Sequence, residues 1–174
     1  MAPKPVIVTA YDPLWPADFA AIAEEIRACL GNLALAIHHV GSTSVPGLAA
    51  KPIIDLDVVI ADYTVFPEVV EKLADLGYMH EGNLGIPRRE AFCYREKPHL
   101  RKHHMYVCPA DSPELKRHLA FRDYLRSHPD AAENYSRVKQ EAAALYPQDI
   151  DGYIRHKSPM IEEIYAQCVP KEEA

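Results

Sequence analysis

No stretch of this sequence stays apolar for the roughly 20 residues that a membrane-spanning helix needs. The first residues, MAPKPVIVTAYDP, lack the apolar run and small-residue cleavage site of a signal peptide. A cytosolic (cytoplasmic) protein with no membrane partner is expected. Cysteine is sparse and scattered: Cys29, Cys93, Cys108 and Cys168 form no CxxC pair. That spacing argues against a disulfide framework or a structural zinc knuckle, and the four read as reduced, mostly buried small apolar side chains. Positive charge is in deficit, with 19 Lys and Arg against 25 Asp and Glu, a net charge of −6. A general polynucleotide binder needs a basic face, so polynucleotide is not the expected partner. A small phosphorylated ligand stays open, because local charge decides that case. There is no HExxH for zinc hydrolysis, no internal repeat and no low-complexity segment; only Lys171–Ala174 reads as a frayed tail.

What is present is the balance of a soluble globular chain, 48% apolar and 25% charged over 174 residues. That length suits one domain over 1–174, with a sheet core over about 5–110 and helices over about 112–168. Pro5–Thr9 reads as a short leading strand. Trp15, Phe19, Ile22, Ile26 and Leu30 recur at three- and four-residue steps, the mark of an amphipathic helix that Gly31 stops. Leu35–Val40 and the β-branched run Ile53–Ile60 read as strands, the second central. Phe66–Leu76 reads as a helix ended by Gly77, and two more strands are expected near Ala91–Arg95 and His103–Val107. Ser112-Pro113 and His128-Pro129 open two helices. Asp149 caps a third, in which Pro159 predicts a break near Ser158. The sum is an α+β fold: a mixed sheet flanked by helices, with a helical C-terminal third.

The chemistry is concentrated between Ala36 and Ile60. On a strand, side chains alternate, so Asp55 and Asp57 share the face opposite Ile54, Leu56 and Val58. Two carboxylates roughly 7 Å apart suit one hard cation, Mg²⁺ or Mn²⁺, or two adjacent ones. Without a cation they would repel, and one would tend to bind a proton. Twelve residues upstream of that pair, Gly41-Ser42 closes the preceding strand. Glycine lets backbone approach a phosphate closely, and exposed N–H groups with a serine hydroxyl hold its oxygens. A phosphate cradle beside a metal site is a layout for phosphoryl chemistry. His104 is either a metal ligand or a general base. Lys51 is a solvated loop cation or a phosphate contact. The run Arg95–His104 is a solvated loop or an anion clamp that Arg88 and Arg89 would join. Arg122 and Asp123 read as pairing within the helical part. Tyr135, Lys139, Tyr153 and Lys157 read as helix-surface packing, with lining of the cleft as the alternative.

A hydrophobic residue, Gly-Ser, a dozen residues and Asp-hydrophobic-Asp together resemble the signature of the nucleotidyltransferase superfamily. Within it the chain resembles the GrpB-like (UPF0157-type) family. The similarity lies in Tyr11-Asp12-Pro13-Leu14-Trp15-Pro16, His39–Leu48, Lys51–Asp55, His103-His104-Met105, Phe121–Arg126, Tyr153 and Lys157. The resemblance implies a nucleotidyltransferase-like sheet. It also implies a Mg²⁺-dependent transfer of a nucleoside monophosphate from a nucleoside triphosphate to a small acceptor. In that scheme Asp55, Asp57 and His104 form the catalytic and metal group, and Gly41, Ser42, Thr43, Lys51, Arg89 and His39 bind nucleotide or phosphate. Relatives fused to dephospho-coenzyme A kinase imply a link to coenzyme A metabolism. Active superfamily members add a third carboxylate from a later strand, where this chain offers His104 and Tyr106. Two alternatives follow: a non-catalytic nucleotide- or coenzyme A-related binding domain serving a partner enzyme, and a metal-dependent phosphohydrolase using His104.

Overall fold

The computed structural model describes residues 2–170, so the tail expected at Lys171–Ala174 lies outside the described residues. Helix α1 (Trp15–Leu30) opens with Pro16 in its first turn and buries Trp15, Ile22, Ile26 and Leu30 on one stripe. A single 3₁₀ turn, Gly31–Leu33, follows instead of a clean stop. Strands β1 (Ala36–Val40) and β2 (Ile54–Ile60) come next, then α2 (Phe66–Asp75). Strands β3 (Tyr78–Gly82), β4 (Glu90–Tyr94) and β5 (His103–Pro109) complete the sheet. Helices α3 (Pro113–Ser127), α4 (Pro129–Leu145) and α5 (Ile150–Cys168) form the last third. No helix among the described residues is long and apolar enough to cross a membrane. All four cysteines are free, but only Cys108 is buried; Cys29, Cys93 and Cys168 are half-buried.

The strands lie in the order β1-β2-β5-β4-β3, with β2 and β5 parallel and the other pairs antiparallel. Beneath the sheet, α1 and α2 cover Ile54, Leu56, Val58, Met105 and Val107 in one apolar cluster. Each such side chain contributes about 1.5–3 kcal/mol by leaving water. Above it, α3, α4 and α5 gather Phe121, Leu125, Tyr135 and Ile164 around Val45 and Leu48 of the β1–β2 connection. The odd-numbered residues of β2 and the even-numbered ones of β5 therefore face the helical layer, and the site lies between the two.

Three expectations are corrected. Pro5–Thr9 is not a strand; it makes a single bridge, Thr9 to Ala50 of the β1–β2 connection, outside the sheet. Strand β3 has no counterpart in the sequence reading. It is an edge strand with only Tyr78 buried, and its pairing slips between His80 and Gly82, so it shows no alternation. Pro159 does not break α5, which runs unbroken from Ile150 to Cys168. The proline removes one backbone donor, while burial of Tyr153 and Ile164 against the neighbouring helices holds the segment helical. The Ser158 hydroxyl also donates to the Ile154 carbonyl at 2.6 Å.

Candidate active site

Parallel pairing of β2 and β5 sets His104 beside Asp55 and Tyr106 beside Asp57. The sheet position next to Asp57 thus carries no third carboxylate. Glu90 is committed elsewhere, to His80 at 2.9 Å and Tyr63 at 3.2 Å, and Glu96 is exposed.

Asp57 is wholly buried. Its Oδ2 accepts from His118 Nδ1 of α3 at 2.6 Å, and His118 Nε2 lies 3.3 Å from Glu114 Oε1, one turn back. Burial works against the imidazolium, but the hydrogen bonds from His118 to Asp57 and Glu114 overcome it and hold its pKa up at about 9. Asp57 Oδ1 is buried with no partner in the protein. Asp55 is half-exposed and accepts from His104 Nδ1 at 3.0 Å. His104 therefore spends one ring nitrogen on the carboxylate it was expected to accompany on a metal.

Among the described residues no group of three His, Cys, Asp or Glu side chains could hold a metal by itself. The donor set still fits Mg²⁺, which characteristically takes one or two carboxylates plus substrate phosphates and water rather than an all-protein cage. Asp55 and the unpartnered Asp57 Oδ1 supply those two oxygens.

Gly41 stands with φ +70°, and a Cβ there would run into the Asp55 carboxylate. The glycine thus serves both the turn and the close passage of Asp55. Gly41→Ala is expected to cost about 1–3 kcal/mol of stability and to push Asp55 out of place; chemical denaturation and a crystal structure of the variant check both.

Ser42, Thr43 and Ser44 form a short 3₁₀ turn pinned from α3 by Arg122 on the His39 carbonyl (3.2 Å) and Arg126 on the Ser44 carbonyl (2.9 Å). His39 lies beneath this loop, stacked on Phe19 at 4.7 Å and bonded through Nε2 to Thr43 Oγ1 at 2.9 Å. Burial, with Arg126 and Arg122 adding to it against the pull of Asp55, lowers its pKa from 6.5 to about 4. Between those values the unfolded chain binds a proton that the folded chain refuses. Stability is therefore full above about pH 6.5 and falls as pH drops toward 4, by an amount on the order of 3 kcal/mol from this group. Urea melts from pH 7 to 4.5 should show that slope, and His39→Gln should flatten it.

Two cavities meet at Asp55, Ser42 and Lys157. The first, about 200 Å³, is walled by Thr43, Lys51, His104, Lys139 and Tyr153. Lys139 is buried, its Nζ without a hydrogen-bond partner and 4.4 Å from the centre of the Tyr135 ring. Lys157 and Lys51 stand over Tyr153 at 4.9 and 5.7 Å. Burial pushes the Lys139 ammonium well below its ordinary pKa, with Lys157 adding and Asp55 opposing. Burial and then Lys51 bring Lys157 down to about 8, and burial also lowers Lys51. Three ammonium groups crowded around one carboxylate make a site short of negative charge. The second cavity, about 240 Å³, holds Arg89, Tyr106, His118, Phe121, Tyr135 and Tyr165.

The expected residues divide accordingly. Gly41, Ser42, Thr43, Lys51, Asp55 and His104 come together at the cleft, whereas Asp57 is buried and lines neither cavity, touching the second one through His118. His39 supports the cleft from below, and Arg89 falls in the second cavity, which Lys157 also lines but Lys51 and Lys139 do not. Most of the run Arg95–His104 packs on α1 and its approach, with Arg101 bonded to Asp18 at 2.9 Å and His99 to Glu25 at 2.5 Å; Arg88 pairs with Asp111 at the surface. Arg122 does pair with Asp123, at 2.8 Å. Lys139, Lys157, Tyr135 and Tyr153 line the cleft rather than the helix surface. Glu114 and His118 were missed, although their four-residue spacing on a helix was readable.

This sheet, with its paired aspartates facing a helical layer, is the nucleotidyltransferase fold. It superposes on a structure of the Cid1 poly(U) polymerase at TM-score 0.56 over 76% of this chain and 44% of that one, at 17% identity. It superposes on the GLD-2/RNP-8 complex at 0.60 over 94% and 63%, at 12% identity. The chain belongs to the GrpB protein family, which matches residues 5–167. GrpB of Enterococcus faecalis shares 36% identity and superposes at TM-score 0.82, covering 93% of this chain and 96% of that one. UPF0157 protein YqkA of Bacillus subtilis is 35% identical over 91% of this chain, which spans 46% of YqkA. A UPF0157 protein of Pseudomonas aeruginosa is 40% identical over 91% of this chain, which spans 65% of that protein. Dephospho-CoA kinase of Mycolicibacterium paratuberculosis is 29% identical over 97% of this chain, matched to 47% of its own length.

Proposed function

We propose that this protein is a Mg²⁺-dependent nucleotidyltransferase that moves a nucleoside monophosphate from a nucleoside triphosphate to a small-molecule acceptor. The observation that carries the reading is the buried, unpartnered Lys139 ammonium, set with Lys51, Lys157 and Ser42 next to Asp55. A polyphosphate would give all three lysines an anionic partner at once and hold Lys139 protonated, whereas burial without an anion pushes its proton off.

In this reading Asp55 and Asp57 Oδ1 would hold Mg²⁺, which when bound would neutralise phosphate charge as the bond to the leaving group lengthens. His118 fixes Asp57 by its other oxygen, and Gly41 leaves room for Asp55. Lys51, Lys139, Lys157 and Ser42 grip the two phosphates that depart. The acceptor hydroxyl oxygen bonds to the α-phosphorus while the α–β bridging P–O bond breaks. Pyrophosphate leaves with that electron pair, and the hydroxyl proton passes to water. The protein's part is positioning and charge balance, as in phosphoryl transfers generally. His104, oriented by Asp55 at the mouth of the cleft, completes its wall. The supply of nucleoside triphosphate makes the cytosol the proposed place of action. Similarity to part of a dephospho-CoA kinase supports a link to coenzyme A metabolism.

The bare sheet position beside Asp57 favours one competing reading, a domain that binds nucleotide without turning it over. Incubation with α-labelled ATP, GTP, CTP or UTP and a metabolite extract separates the two. Transfer predicts a labelled product and released pyrophosphate; bound but unchanged nucleotide would point to the binding domain, and no binding at all would defeat both.

A further inference from the structure

The second cavity differs in chemistry from the lysine-walled one. Tyr106, Phe121, Tyr135, Ile161 and Tyr165 line it together with Ser42, Asp55 and Lys157, which it shares with the first, and its one guanidinium is Arg89. That group lies 4.2 Å over the Tyr106 ring, its Nε buried and without a hydrogen-bond partner. Tyr106 neighbours Asp57 on the sheet and Asp55 lines the cavity, so the cavity lies against the paired aspartates.

In-line displacement sets the attacking and leaving oxygens on opposite sides of the phosphorus. With the departing phosphates among Lys51, Lys139 and Lys157, the attacking hydroxyl comes from the side of Arg89. We infer that the Arg89 cavity is the acceptor site, and that the acceptor is a small hydroxylated anion whose carboxylate or phosphate group pairs with Arg89. Which cavity serves the acceptor rests on the nucleotidyl-transfer reading; what the cavity binds rests on its own walls. A planar guanidinium over an aromatic ring offers an anion two parallel N–H donors. The volume, about 240 Å³, suits a metabolite-sized ligand. The aromatic walls cover its carbon skeleton.

The test uses the full chain and three kinds of probe in equilibrium titrations. Tripolyphosphate reports on the lysine cavity. Glycolate and glycerol 3-phosphate report on the Arg89 cavity and distinguish a carboxylate from a phosphate ligand, and glycerol is their uncharged control. The inference predicts that at least one hydroxy-anion binds about tenfold or more tightly than glycerol, and that tripolyphosphate does not displace it. Arg89→Gln should weaken that binding about tenfold while leaving tripolyphosphate within about twofold. Arg89→Lys, which keeps charge but not the fork, should fall between. Lys139→Met should do the reverse, losing tripolyphosphate and keeping the hydroxy-anion. Displacement by tripolyphosphate, indifference to Arg89→Gln, or binding no better than glycerol would each overturn the inference. Absence of tripolyphosphate binding would count instead against the triphosphate reading, while Arg89-dependent anion binding still decides this one.

Discussion

Asp55→Asn is expected to lower nucleotidyl transfer by about 10³-fold, a loss of ~4 kcal/mol of transition-state stabilisation, while the protein still folds. Asn is nearly isosteric, so the close passage past Gly41 is kept and the hydrogen bond with His104 can re-form. What is lost is one of the two anionic oxygens available to a hard cation, at the point where the two cavities meet. Asp57→Asn should cost as much activity and, unlike Asp55→Asn, stability as well. Its carboxylate is wholly buried against an imidazolium held up at about 9, and a neutral amide leaves that cation with Glu114 alone as counter-charge. Product formation from labelled nucleotide, with thermal melts of both variants, checks the pair. Equal melting behaviour in the two would contradict the different burial of the two carboxylates.

Lys139→Met gives the second large effect, in two opposite directions. Nucleotide affinity should fall by about 10–100-fold, since a charge-assisted contact in a desolvated site is worth roughly 1.5–3 kcal/mol. Stability should rise, by ~1 kcal/mol or more, because methionine has similar length and removes a buried polar nitrogen that has no hydrogen-bond partner. A lysine kept for structure would lose stability on the same change, so the sign of the melting shift discriminates. Nucleotide should also draw protons onto this cluster. Lys157 sits at about 8 in the free protein, and an arriving polyphosphate raises it, so near pH 8 the measured binding enthalpy should vary with the ionisation enthalpy of the buffer.

The line between what the sequence discloses and what it hides follows the range of the interactions. Asp55 and Asp57 declare themselves because strand periodicity is two, and a β-branched run leaves little choice of element. The caps of α3 and α5 are equally local: Ser112 accepts from Leu115 N at 3.3 Å and Asp149 from Gly152 N at 2.9 Å. Gly41 is legible as a turn glycine, but its clearance for Asp55 depends on a strand thirteen positions away. Lys139 and Lys157 look like ordinary polar positions on amphipathic helices. Lys139 does fall in step with the buried stripe Ala132, Tyr135 and Ala142 of α4, but only the packing of α4 and α5 over the sheet shows that a lysine at such a position turns inward. The dense basic run Arg95–His104 misleads for the same reason, since its counter-charges Asp12, Asp18 and Glu25 lie on α1 or just before it. Pro159 shows the limit of local cost as a guide, because a buried helix face outweighs one missing donor.

The most direct test is a crystal structure with Mn²⁺ and a non-hydrolysable nucleoside triphosphate. The account predicts an anomalous manganese peak on Asp55 and Asp57, with the outer phosphates within reach of Ser42, Lys51, Lys139 and Lys157. A nucleotide seated elsewhere, with no manganese at the two carboxylates and Lys139 still without an anion, would contradict it.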